Sequence, residues 1–69
     1  MSNINQDRAL WAEIGLEAFQ AAVKTEDEDA LPDLLADLMH YADHHAMDFD
    51  AALQRAKAHY EVEIVEDAE

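Results

Sequence analysis

Gly15 and Pro32 are the only glycine and proline in 69 residues, and this scarcity constrains the fold more than any other feature. Strands joined by tight turns need residues that accept positive φ or preset a bend, chiefly Gly, Pro, Asn and Asp. A chain with so few such signals is expected to be all-α, its helices joined by short connectors. There is no cysteine, so neither a disulfide nor a thiolate metal site can hold the fold. The length suits one small helical domain spanning 1–69, near the lower limit for autonomous folding, since about 60 residues bury only about 60% of their unfolded surface. The apolar fraction of 51% separates the chain from an acidic disordered tail. Much of that fraction is alanine, which makes for a thin core, and a homodimer that buries further apolar surface is one expectation.

Periodicity places a first helix at about 7–24. Glu13, Glu17, Gln20 and Lys24 form a narrow polar stripe at i, i+4, i+7 and i+11. Leu10, Trp11, Ile14, Leu16, Ala18, Phe19, Ala22 and Val23 leave the rest of the circumference apolar. So wide an arc predicts neighbours on more than one side, as in a central core helix that also supplies a dimer face. Gly15 lies opposite much of the polar stripe, where a missing side chain permits close helix approach.

Thr25–Asp29 reads as a charged connector, with Thr25 and Glu28 at capping-box spacing. Proline deep inside a helix costs about 3 kcal/mol, so Pro32 predicts a second helix over about 30–46 with the proline in its first turn. Leu31, Leu34, Leu35, Leu38, Ala42 and His45 are its expected buried side, opposite Asp33, Asp37, His40 and His44. Asp48 suits an N-cap, opening a third helix over about 49–61 with an inward stripe of Phe49, Leu53, Ala56, Tyr60 and Ile64. The ending EVEIVEDAE fits either a short extended tail or continued helix. The expected whole is a compact three-helix bundle with flexible ends at 1–6 and 65–69.

Charge narrows function. Seventeen Asp and Glu face only Arg8, Lys24, Arg55 and Lys57, a formal net charge of -13. Such a surface repels nucleic acid and anionic membranes and attracts basic surfaces over a Debye length of about 8 Å at physiological salt. Direct nucleic-acid binding, which needs a basic face, and membrane association are therefore not expected. The first residues lack the basic and apolar regions of a signal peptide, and no apolar run approaches the roughly 18 residues of a membrane span. A soluble cytoplasmic protein is the expectation.

Chemistry-bearing constellations are few. Asp37, His40 and His44, with Asp33 beside them, share one helical stripe and are the weak candidates for a transition-metal site. The competing reading is a solvated polar face with imidazoles near a helix C-terminus. No nucleophile arrangement and no glycine-rich phosphate loop is present, so no catalytic residue and no cofactor is assigned. The stretch DLLADLMHYADHHAMDFDAAL loosely resembles the second half of the MazG-like nucleotide pyrophosphatases, which implies magnesium held by acids on paired helices. The chain departs from that family's motifs: Ala12 precedes Glu13 where a paired acid is required, and Leu34 stands where the second motif has Glu.

The run DALPDLLADLMHYADHHAMDFDAALQRAKAHYEVE, with RALWAEIGLEAF upstream, resembles short acidic all-helical proteins of phages and mobile elements, the anti-CRISPR or DNA-mimic type. That resemblance implies a non-enzymatic inhibitor whose partner is a basic nucleic-acid-binding protein, such as a CRISPR effector component. From the density of carboxylates, the candidate partner-binding residues are Glu26, Asp27, Glu28, Asp29, Asp33 and Asp37. The alternative is a small adaptor or homodimer that binds through apolar surface and uses charge only for solubility.

Overall fold

A computed structural model describes residues 4–68, with side chains through Glu66. Three helices follow one another: α1 (Ile4–Val23), α2 (Asp27–His44) and α3 (Phe49–Ala68). Every pair of helices touches, and no strand occurs among the described residues. The expected all-α three-helix architecture is therefore observed.

The boundaries differ from the sequence reading at both ends of the chain. Helix α1 starts three residues before Asp7, and α3 runs on through Ala68 instead of stopping near Glu61. Helix thus replaces the expected flexible ends at 4–6 and 65–68 and the extended tail; residues 1–3 and 69 lie outside the described residues. Nothing in EVEIVEDA breaks a helix, and once α3 is under way each added residue gains a hydrogen bond at little further entropic cost.

Helix α2 begins at Asp27, so Pro32 occupies its second turn. The Asp29 amide donates to the Glu26 carbonyl at 3.0 Å, a tightened first turn. The bond that Pro32 cannot donate leaves a carbonyl on Glu28, an exposed residue, where water can serve it. Asp27, Glu28 and Asp29 in the first turn also favour this start through the helix dipole. The Thr25/Glu28 spacing does not become a capping box, because Glu26 is the N-cap and makes no side-chain cap bond; part of the expected connector, from Asp27, is helical instead.

Both connectors use left-handed backbone without glycine. Lys24 has φ 61° after α1, and Ala46 has φ 56° after α2. At the latter, the Met47 amide reaches the Ala42 carbonyl at 2.8 Å and the Ala46 amide reaches that of Asp43 at 3.3 Å. This is a Schellman closure carried by an alanine. Asp48 then caps α3 as expected, its Oδ1 accepting from the Ala51 amide at 3.0 Å.

The largest departure concerns the core. Among the described residues only Ala30 and Ala42 are buried. Leu16, Phe19, Leu34 and Phe49 are half-buried, and every other large apolar side chain described is exposed. The expected buried side of α2 fails at Leu31, Leu35, Leu38 and His45, and the inward stripe of α3 fails at Leu53, Ala56, Tyr60 and Ile64, all exposed. Helix α1 buries no residue, so it is not a central core helix. The radius of gyration is 14.1 Å with extents of 38 × 26 × 17 Å, against about 11 Å for a compact chain of this length. The bundle is open and not compact.

Candidate interaction surface

No lysine or arginine occurs between Lys24 and Arg55, and all of α2 lies within that interval. The helix carries Asp27, Glu28, Asp29, Asp33, Asp37 and Asp43 over 18 residues, an axial length of about 27 Å. That is one carboxylate per about 4.5 Å of axis, close to the roughly 3.4 Å that separates successive charges along one strand of B-DNA. Among the described residues the one ion pair lies elsewhere, where Arg8 Nε meets Glu63 Oε2 at 3.6 Å. Among the described residues, none of the α2 carboxylates forms an ion pair with a cation of its own chain.

The six partner-binding candidates are all exposed, yet two are held in place. Thr25 Oγ1 donates to Asp33 Oδ2 at 2.8 Å, and Gln20 Nε2 donates to Asp27 Oδ1 at 2.7 Å. These bonds tie the end of α1 and the connector to the acidic start of α2. The sequence reading did not foresee Gln20 and Thr25 in this role; neither residue carries charge, and the pairing spans a turn. Glu28, Asp29 and Asp37 project from the helix with no such tether shown. Asp29, Asp33 and Asp37 recur every four residues, which puts them on one side of the helix.

Asp37, His40 and His44 do share a face, and with Tyr41, Asp43 and His45 they line a shallow surface at the end of α2. The His45 ring stacks against Tyr41 with centroids 4.3 Å apart and meets the His44 ring edge-on at 5.3 Å. Asp37 and His44 are seven residues apart, about 10 Å along the axis, too far to bind one ion together. Among the described residues no three His, Asp or Glu side chains are grouped to hold a metal ion. The three weak metal candidates therefore share a stripe without converging on a centre.

A recess of about 440 Å³ opens between the end of α2 and the start of α3, lined by Leu38, Tyr41, Ala42, Met47, Phe49 and Arg55 among others. It is largely hydrocarbon, with Asp48 and Arg55 at its polar positions. Among the described residues, no helix is long and apolar enough to cross a membrane. The chain matches no protein-family model, no curated protein and no solved structure.

Proposed function

We propose that the chain is a non-enzymatic acidic interaction protein that occupies a basic nucleic-acid-binding surface, an inhibitor of the anti-CRISPR or DNA-mimic type. The observation that carries this reading is the run of carboxylates along α2, which averages one per about 4.5 Å of axis and has no ion pair to a cation among the described residues. Helix α2 with its N-cap, presenting Glu26, Asp27, Glu28, Asp29, Asp33 and Asp37, offers a basic groove the same kind of attraction that DNA offers. The bonds from Gln20 and Thr25 support it further, because pre-positioned charges lose less entropy on docking.

The test uses purified basic nucleic-acid-binding proteins, a guide-loaded CRISPR effector among them, bound to labelled duplex DNA. The full chain displaces the DNA, and its affinity falls steeply between about 50 and 200 mM salt. The triple variant Glu28→Lys, Asp29→Lys, Asp33→Lys keeps its helical signal but displaces DNA poorly, with a flattened salt dependence. Binding that responds to neither the triple change nor salt would sink the reading.

A second reading has its own support. Met39, Tyr41 and Met47 are exposed near the α2–α3 recess, as an adaptor docking through apolar surface requires. In that case Met47→Ser weakens partner binding and salt has little effect.

A further inference from the structure

The area this chain leaves uncovered is a quantity with a known remedy. A folded monomer of 7.8 kDa is expected to expose about 4,400 Å². This chain exposes 5863 Å², an excess of about 1,500 Å². Obligate homodimers bury about 2,000–5,000 Å² in total, or about 1,000–2,500 Å² from each subunit. The excess falls within that range. Most of the large aliphatic and aromatic side chains lie outside any core and contribute to that exposed area.

Helix α1 shows where a second copy would sit. Its half-buried residues Asn5, Arg8, Leu16, Phe19 and Gln20 mark the side that meets α2 and α3, Asn5 and Arg8 both reaching Glu63 of α3. On the opposite side Trp11, Ile14, Ala18 and Ala22 recur at i, i+3, i+7 and i+11, with Leu10 and Ala21 alongside. Trp11 is 60% and Ile14 67% exposed. A Cβ placed on Gly15, at the edge of this face, would meet nothing within 4 Å, so the surface beside it is open.

Charge decides between a second copy and a site elsewhere on the molecule. Two chains of -13 repel each other, so they can approach only where acids are sparse. Helix α1 has three carboxylates against Arg8, α3 has five against Arg55 and Lys57, and α2 has six against none. Of the three on α1, only Asp7 lies within the apolar face, near its start; Glu13 and Glu17 fall to one side. We infer that the chain is a two-fold homodimer whose interface is centred on the Trp11–Ile14–Ala18–Ala22 face of α1. An isologous contact of this kind leaves both α2 helices facing outward, so each dimer displays two acidic surfaces. The inference rests on area and on α1, and does not depend on what α2 binds.

The experiment is sedimentation equilibrium on the full chain, from low to high micromolar concentration, with Trp11 fluorescence read on the same samples. Trp11 is the only tryptophan, so its emission reports on this face alone. The expected result is a mass of twice 7.8 kDa, with Trp11 shielded from acrylamide and losing that shielding as dilution halves the mass. Ile14→Glu shifts the mass to that of one chain at every concentration. If that variant unfolds, the wild-type dilution series still decides, because shielding and mass must change together. A mass of one chain throughout overturns the inference. So does a dimer in which Trp11 stays open to acrylamide, or one that a folded Ile14→Glu variant still forms. All these readings are made on pure protein, so they stand or fall apart from any basic partner.

Discussion

Replacing Ala46 with glycine should stabilise this protein, although glycine usually weakens helical chains. Ala46 sits at φ 56°, where an L side chain costs about 1–2 kcal/mol and glycine costs nothing sterically. Against that gain stands the greater freedom of glycine in the unfolded chain, about 0.4–1 kcal/mol. The bonds that close the turn, Met47 to Ala42 and Ala46 to Asp43, are backbone bonds and survive the change. The net gain is therefore about 0.5–1 kcal/mol. With a urea m-value of about 1 kcal/mol/M for so small a chain, the midpoint rises by about 0.5–1 M. Urea titrations followed by far-UV circular dichroism, at one fixed protein concentration, measure it. Ala36, exposed in mid-α2, supplies the control: Ala36→Gly loses about 1 kcal/mol, as helix-interior glycine does. Two midpoint shifts of the same sign would refute the assignment of left-handed strain to Ala46.

Three further outcomes can be checked with the same titrations. Asp48→Ala removes the acceptor of the Ala51 amide and costs about 1 kcal/mol, while Asp48→Ser recovers most of it. Arg8→Ala severs the 3.6 Å contact to Glu63 and the 2.7 Å bond to Asn5; because Arg8 and Glu63 are each about a third exposed, the loss stays below about 1 kcal/mol, and hydrogen exchange quickens first in the last turns of α3. Added salt, from about 10 to 150 mM, raises the urea midpoint because it screens self-repulsion of the -13 chain. Partner binding through α2 moves the opposite way, weakening over the same range.

How much of this was legible in the sequence depends on whether the signal is local. The Asp48 cap was readable because a short carboxylate ahead of an amphipathic run reaches amides three residues away. The face shared by Asp37, His40 and His44 was readable because helical spacing alone places it. The start of α2 was not, since Pro32 argues for a later beginning while the dipole and a tightened first turn favour Asp27. Nor were the turns at Lys24 and Ala46, where no glycine signals positive φ. The core was misread for a deeper reason. An apolar stripe such as Leu31, Leu35 and Leu38 specifies that a face prefers cover, and says nothing of which chain supplies it. Tethers such as Thr25 to Asp33 and Gln20 to Asp27 cross a turn, beyond the reach of single-helix periodicity.

The absence of lysine and arginine from Thr25 to Gln54 also determines which reagents can examine α2. Trypsin cuts after Lys24 and Arg55 and nowhere between, so the whole helix leaves as one peptide, Thr25 to Arg55. Amine-directed cross-linkers find no lysine there to attach to, and a map made with them would be blank over the surface of most interest. Carbodiimide coupling does the reverse: it activates the α2 carboxylates and joins them to whatever lysine lies opposite. A zero-length cross-link from Glu28 or Asp29 would then write the address of the partner directly into a single tryptic fragment.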